Sequence, residues 1–139
     1  MTKEQEQVSV KNIKSILNQF IPKYKDLEVV WFDKYKQQYK SIVDVHTAAH
    51  VGDFTSFPYI ALCYKNNDMP ITVEKLFTLL NKFQNDDMVA LLNLDENYVF
   101  SKHKYPWEVC NFKITELETN YEKYKCLEVI DFFKFYNYI

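Results

Sequence analysis

Two histidines and two aspartates lie close together in the first half of the sequence: Asp44, His46, His50 and Asp53. Imidazole and carboxylate groups are ligands that zinc and manganese take from proteins. Asp44, His46 and His50 share one face if the chain is a strand here, whereas a helix would set His46 and His50 one turn apart. The cluster therefore predicts a metal site, with His103 as a further ligand, and through it a metal-dependent hydrolase.

The same four residues also have a simpler interpretation. The helical metalloprotease motif carries a glutamate after its first histidine, but Thr47-Ala48-Ala49 follows His46 here, so that family is excluded. Polar side chains at a strand end or in a loop are commonly solvated or hydrogen-bonded to nearby backbone groups. We therefore carry the metal site as an alternative.

A second pattern joins lysines with aromatic residues in the first third of the chain. The lysines are Lys23, Lys25, Lys34, Lys36 and Lys40. Aromatic stacking beside lysine is how many proteins hold single-stranded nucleic acid without reading its bases. Acidic residues in the same stretch dilute its charge, so a hairpin with a solvated lysine face and inward-packed aromatic rings explains the pattern with fewer assumptions.

The third pattern consists of large aromatic residues near Pro106 and from residue 132 onwards, a residue type enriched at protein interfaces. The candidates for contact with a partner are Tyr98, Tyr105, Trp107, Phe133, Phe135, Tyr136 and Tyr138. The tail could instead pair with a second copy of the chain or pack into its own core, because a small domain must place its large rings somewhere.

The centre of the chain specifies its secondary structure most firmly. Thr72 is a good N-cap, and Glu74 places a carboxylate in the first turn, where the positive end of the helix dipole favours it. Apolar residues then recur at helical spacing: Val73, Leu76, Phe77, Leu80 and Phe83. We expect the polar run 84–87 to end this helix, the apolar run 88–92 to form an interior strand, and residues 98–100 to form its hairpin partner.

The first half of the chain has the pattern of a helix followed by three strands. Ser9 is expected to cap the helix and Pro22 to end it. Strands are predicted at residues 27–32, 39–46 and 59–64. The first two should pair as a hairpin. Segment 47–57 contains Gly52, the single glycine, and is predicted to be the longest irregular connection.

The second half adds two more strands. One is predicted at residues 107–114, and another from Cys126 to Tyr136, where β-branched and aromatic residues are enriched. No internal repeat is evident. The length of 139 residues suits one α+β domain spanning residues 1–139, with residues 1–7 disordered. The predicted fold is a mostly antiparallel sheet with an N-terminal helix and one central helix.

Composition narrows the function by exclusion. All 17 basic residues are lysine and there is one glycine, so arginine forks and glycine-rich phosphate loops are excluded. The net charge of -2 argues against a nucleic-acid partner. The three cysteines are odd in number and lie among apolar residues, as buried free thiols in a reducing cytoplasm do. We expect a cytoplasmic protein with no cofactor and no membrane-spanning segment.

The central helix and strand carry one resemblance. Thr72-Val73-Glu74-Lys75-Leu76, Leu79-Leu80, Phe83, Asp86 and Met88-Val89 resemble a helix-then-strand segment of small uncharacterised proteins of phages and other mobile elements. The composition, low in glycine and rich in lysine and asparagine, also resembles that of proteins encoded by AT-rich bacterial or phage genomes. The resemblance implies a phage accessory protein, such as an anti-CRISPR-like inhibitor of a bacterial defence system. We therefore expect a non-enzymatic protein-binding domain that inhibits or regulates a larger protein.

Overall fold

The N-terminal helix, α1, spans Val10–Tyr24. The structure is a computed structural model that describes residues 9–34, 36–51, 56–65, 68–94, 107–118 and 122–131. Residues 1–7, predicted to be disordered, lie outside the described residues. As predicted, Ser9 caps α1, because its hydroxyl accepts a hydrogen bond from the Asn12 backbone N–H at 3.4 Å. The fully buried face of the helix consists of Val10, Ile13 and Leu17.

Pro22 does not end α1, which continues to Tyr24. Proline removes one backbone N–H, so close to the end of a helix it forfeits a single intrahelical hydrogen bond. Backbone hydrogen bonds from residues later in the sequence stabilise the C-terminal end of α1. The Leu27 N–H donates to the Tyr24 carbonyl at 3.1 Å, and the Glu74 N–H donates to the Lys25 carbonyl at 3.0 Å. The predicted helix end at Pro22 is therefore wrong.

The central helix, α2, spans Val73–Leu80. The Thr72 hydroxyl accepts a hydrogen bond from the Lys75 N–H at 3.2 Å, and Glu74 lies in the first turn, so the predicted helix start is confirmed. The buried face consists of Val73, Leu76 and Leu80. The helix ends before the polar run 84–87 that was expected to stop it.

In the described part of the chain, six strands follow sequence order around a closed barrel. They are β1 Val29–Asp33, β2 Gln38–Val51, β3 Ser56–Lys65, β4 Val89–Asn93, β5 Trp107–Glu118 and β6 Lys123–Asp131. Strand β4 runs parallel to β3, β6 runs parallel to β1, and the four other neighbouring pairs are antiparallel. The predicted α+β fold, with a mostly antiparallel sheet, an N-terminal helix and one central helix, is confirmed.

The predicted irregular connection at residues 47–57 is wrong, because β2 continues to Val51 and β3 begins at Ser56. Thr47 is aligned with Ile60 across the ladder, and the pairing continues to the last residue of β2. Alanine and glycine have weak strand preferences, so the sequence of this segment does not indicate a strand, and pairing with β3 overrides the local preference. Segments 98–100 and 132–136, predicted as strands, lie outside the described residues.

The two halves of the chain have the same order of elements, a helix followed by three strands. Strands β1, β2 and β3 correspond to β4, β5 and β6, and corresponding pairs run in the same directions. Two isolated bridges, Ser9–Met88 and Glu28–Thr72, follow the same symmetry. Each joins the residue before one helix to the residue before the first strand of the other half. The chain therefore contains two αβββ units related by approximate two-fold symmetry.

A shared irregularity supports this correspondence. The register shifts beside Asp44 in β2 and beside Asn111 in β5. At both places the side chain accepts a hydrogen bond from the next backbone N–H, that of Val45 or Phe112, at 2.8 Å. Such bulges are local features that bend a strand and increase its twist. The same bulge at corresponding positions shows that the symmetry extends to local backbone geometry.

The repeat can be recognised in the helix sequences once this correspondence is known. The matching pairs are Ser9-Val10 with Thr72-Val73, Leu17-Asn18 with Leu80-Asn81, and Phe20 with Phe83. Some other corresponding positions share only apolar character, such as Ile13 with Leu76 and Ile16 with Leu79, and the rest differ. The expectation that the sequence contains no repeat is wrong because the two units share a fold and a burial pattern rather than many identical residues.

The main core lies between the helices and the inner face of the sheet, which we define as the face that packs against α1 and α2. A small second apolar cluster lies on the outer face and consists of Tyr59, Ala61, Cys63 and Ala90. Neither helix that the structure describes combines the length and the apolar character needed to cross a membrane.

Candidate functional site

One end of the barrel collects polar and aromatic side chains on its inner face. At this end β1, β3, β4 and β6 finish, and β2 and β5 begin. We define the barrel-end cluster as Trp31, Asp33, Lys40, Tyr64 and Asp131.

The alternation of side chains along strands explains why these residues share a face. Trp31 belongs to the main core, and Lys40 lies directly opposite it in the β1–β2 register, so both point inwards. Asp33 follows Trp31 by two residues and keeps the same face. On β6, Val129 is aligned with Trp31, so Asp131 also lies on the inner face, at the level of Asp33.

Trp31 contacts two other members of the cluster. Its indole N–H donates a hydrogen bond to Oδ2 of Asp131 at 2.6 Å, and its ring centroid lies 4.6 Å from that of Tyr64. A hydrogen bond to a carboxylate is shorter and stronger than one between neutral groups. Tyr64 and Asp131 occupy corresponding positions in the two αβββ units, opposite the residues that begin the bulges. Trp31 thus joins the two units at this end.

The three charged side chains of the cluster are almost completely buried: Asp33 is 8% exposed, Lys40 3% and Asp131 4%. The Lys36 backbone N–H donates to Oδ1 of Asp33 at 3.3 Å, and Nζ of Lys40 donates to Oε1 of Gln38 at 3.4 Å. Charged groups are seldom buried so deeply because desolvation opposes it. The cluster therefore places three charged groups, with hydrogen-bond partners, in the interior at this end of the barrel.

The predicted metal site is described only in part. Asp44 and His46 form an exposed pair with 3.3 Å between Oδ2 and Nε2. His50 lies on the same strand, about 13 Å further along it, so the strand alternative is the one that forms. The side chain of His50, and Asp53 and His103 as a whole, lie outside the described residues. Within those residues no three His, Cys, Asp or Glu side chains are grouped to hold a metal ion. The metal site stays a prediction.

A thiol adjoins this pair, because Cys63 is aligned with Asp44 across the ladder. Burial, and after it the Asp44 carboxylate, raise the pKa of the Cys63 thiol to about 12, against the smaller opposing effect of the His46 backbone N–H. Burial and a nearby carboxylate likewise raise the pKa of Cys126 to about 11. Cys63 and Cys126 are free and buried, as predicted, and the side chain of Cys110 lies outside the described residues. Because the thiolate is the nucleophile, neither Cys63 nor Cys126 is suited to catalysis at neutral pH.

The lysines predicted to bind nucleic acid fall into three places. Lys40 is buried in the barrel-end cluster. Lys23 and Lys25 lie at the end of α1, before β1, and Lys34 and Lys36 follow β1, which is about 13 Å long. The four exposed lysines are therefore separated into two pairs by the length of a strand. Nucleic-acid binding stays a prediction.

The predicted protein-contact side chains lie outside the described residues: Tyr98, Tyr105, Trp107, Phe133, Phe135, Tyr136 and Tyr138. The strands that flank their segments are described. Strand β4 ends at Asn93, β5 begins at Trp107 and β6 ends at Asp131, all at the barrel end that carries the cluster. Both aromatic-rich segments, 95–106 and 132–139, are therefore joined to the barrel at this end.

The barrel-end cluster has no sequence signature, because its members come from four strands, of which β6 meets β1 only when the barrel closes. One signal was present. Asp131 follows Leu127, Val129 and Ile130, so it is a carboxylate within an apolar run. A charged residue in such a run indicates a buried polar contact, but it does not identify the indole N–H as the partner.

Comparisons with protein families, with curated proteins and with solved structures find no match to this chain. Neither the barrel-end cluster nor the Asp44–His46 pair is assigned a role by similarity. The candidate site is defined by the residues of this chain alone.

Proposed function

We propose that the chain is a cytoplasmic, non-enzymatic protein-binding domain that inhibits or regulates a larger protein. The observation that carries this proposal is that both aromatic-rich segments are joined to one end of the barrel. Segment 95–106 connects β4 to β5 there, and segment 132–139 follows β6. Tyrosine and tryptophan contribute large contact areas at the energetic centres of protein interfaces.

The barrel-end cluster lies at the strand ends to which the two aromatic-rich segments are joined. Trp31 holds Tyr64 and Asp131 together at the strand ends next to which the two segments depart. A rigid support reduces the conformational entropy that is lost on binding. The partner suited to this surface offers apolar pockets for aromatic rings and acceptors for tyrosine hydroxyl groups. Regulation then results from coverage of the partner's own functional surface.

A narrower proposal identifies the larger protein as a component of a bacterial defence system and the chain as an anti-CRISPR-like inhibitor encoded by a phage. Its support is the resemblance of residues 72–89 to phage and mobile-element proteins, together with the low-glycine, lysine- and asparagine-rich composition. The alternative of a metal-dependent hydrolase is supported by the exposed Asp44–His46 pair alone.

The test compares two variants in a tagged pull-down from nuclease-treated bacterial lysate. The barrel-end variant replaces Tyr98, Tyr105, Tyr136 and Tyr138 with alanine. The control variant replaces four residues with alanine at the opposite end of the β5–β6 hairpin, where they are exposed: Glu116, Glu118, Lys123 and Lys125. The wild type and the control should capture the same protein. The barrel-end variant should retain at least about tenfold less of it, because interface aromatics contribute disproportionately to binding.

Equal capture by the two variants would contradict the proposed surface. If no protein is captured and the purified chain carries metal in near-stoichiometric amount, lost in His46→Ala, the hydrolase alternative replaces the proposal. Inhibition is tested by adding the purified chain to the captured protein and measuring that protein's own activity.

A further inference from the structure

Part of β2 has a strand edge that no described strand covers. Strand β1 pairs with β2 only at residues 38–41, whereas β3 follows the other edge of β2 to Val51. We define the open β2 edge as residues 45–51. Strand β5 has an equivalent open edge among the described residues, since β4 pairs with it only at residues 107 and 108.

The open β2 edge presents the backbone groups of alternate residues. The Ile60 N–H donates to the Met88 carbonyl at 2.7 Å, on the side of β3 that faces away from β2. Ile60 is aligned with Thr47. Ile60 and Thr47 are therefore a non-hydrogen-bonded pair, in which the backbone N–H and C=O groups of each residue point away from the partner strand. The Thr47 N–H and C=O consequently lie on the open edge. The same alternation adds Ala49 and Val51.

The two equivalent edges differ in charge. Residues 112–118 of β5 include Lys113, Glu116 and Glu118, whereas residues 45–51 of β2 contain no lysine, aspartate or glutamate. Charged residues on an edge strand oppose its pairing with another chain. The β5 edge has this protection and the β2 edge lacks it.

The sequence of the open β2 edge is nearly symmetric about Ala48. The matching pairs are Val45 with Val51, His46 with His50, and Thr47 with Ala49. A two-fold dimer sets each residue opposite its symmetry mate, so antiparallel pairing centred on Ala48 aligns residues of similar size. The β5 edge has no such symmetry. We propose that two copies of the chain dimerise by antiparallel pairing of their β2 edges, with Ala48 at the two-fold axis.

This register also satisfies the hydrogen-bond pattern. Thr47 of one copy lies opposite Ala49 of the other, and both present outward backbone groups, so they form a hydrogen-bonded pair. Ala48 faces its own mate as a non-hydrogen-bonded pair, with about 4.5 Å between the Cα atoms. The two barrels then share one continuous sheet. The open β2 edge is distant from the barrel end, so dimerisation is independent of the proposed partner surface.

Sedimentation velocity over a series of protein concentrations tests the dimer. Thr47→Pro removes an outward N–H, and proline is tolerated on a free strand edge. Glu116→Pro is the matched control, because Glu116 is an exposed residue with an outward N–H on the open edge of β5. The wild type and Glu116→Pro should dimerise, and Thr47→Pro should stay monomeric with an unchanged circular dichroism spectrum. A wild type that is monomeric throughout, or a Thr47→Pro variant that dimerises equally, overturns the proposal.

A disulfide tests the register without proline. In a Cys110→Ser background, Ala48→Cys should form an interchain disulfide with oxidised glutathione, because a Cα separation of about 4.5 Å lies within the disulfide range. Thr47→Cys is the control, since its mate is displaced by two residues, about 7 Å along the strand. The native Cys63 and Cys126 are buried and should not interfere. Equal cross-linking at both positions, or none at position 48, overturns the register.

Discussion

Replacing Asp131 with leucine should lower the free energy of unfolding by about 1–3 kcal/mol. The Asp131 carboxylate accepts the Trp31 indole N–H at 2.6 Å, and the two residues are each 4% exposed. The leucine removes the acceptor and leaves a buried donor that water does not reach. Part of this loss is offset because leucine needs no desolvation of a charge. Asp131→Asn keeps an acceptor oxygen and should lose less.

A double-mutant cycle isolates the contact from the other effects of each substitution. Combined with Trp31→Phe, Asp131→Leu should show a coupling energy of about 1.5–3 kcal/mol, the range for a hydrogen bond to a charged group. Glu128→Leu is the matched control. Glu128 is also buried on β6, at 1% exposed, but alternation places it on the face opposite to Trp31. Its coupling with Trp31→Phe should be below about 0.5 kcal/mol.

Urea unfolding followed by circular dichroism measures all of these free energies. With a slope of about 2 kcal/mol per molar urea, a loss of about 2 kcal/mol lowers the midpoint by about 1 M. A coupling near zero between residues 31 and 131 would refute the reasoning, because it would mean that the short buried contact contributes nothing to stability. Equal coupling of Asp131 and Glu128 with Trp31 would refute the assignment of Asp131 to the inner face and of Glu128 to the outer face.

Three further predictions concern the backbone and the buried thiol. Ser9→Ala and Thr72→Ala each remove a capping hydroxyl, so each should lower the unfolding free energy by about 0.5–2 kcal/mol in urea titrations, and by similar amounts because the caps correspond in the two units. Gln37 has a φ of 55°, so Gln37→Gly should raise the thermal midpoint by relieving left-handed strain; a lower midpoint would contradict this. The raised pKa of Cys63 means that the native state keeps a proton that the unfolded chain releases. Its stabilisation is therefore full below pH 9.0 and is lost as the pH rises towards about 12. Between these values Cys63→Ala should lose less stability than the wild type in pH-dependent unfolding.

The parts of the fold that were predicted from sequence are those with local causes. Thr72 and Glu74 specify the start of α2 through hydrogen bonds and charge within one turn, and no distant residue is needed. The extension of β2 past His46 has no such cause, because it depends on alignment with β3. At Pro22 a clear local signal gave the wrong result. Proline predicts the end of a helix, but α1 continues to Tyr24, and backbone hydrogen bonds to the carbonyls of Tyr24 and Lys25 stabilise its last turn.

The candidate site was less predictable than the fold, because its residues meet only through barrel closure. Trp31 and Asp131 are 100 residues apart in sequence. Their contact requires the parallel pairing of β1 with β6, and pairing between the first and last strands of a chain has no local signal. The aromatic-rich segments were recognised from composition, but the fact that both are joined to one end of the barrel could not be.

The approximate two-fold symmetry separates what the fold requires from what it does not. The helix caps and the bulges occur in both αβββ units, and the two parallel strand pairs that join one unit to the other are equivalent by symmetry, so a structural role is sufficient to explain them. The barrel-end cluster breaks the symmetry, because Trp31 corresponds to Leu91 and Tyr64 corresponds to Asp131. The strand edges break it as well, since one is charged and the other is not. The barrel end and the open β2 edge are therefore the two surfaces whose residues the symmetry of the fold does not explain, and at the barrel end the Trp31–Asp131 contact contributes to stability as well.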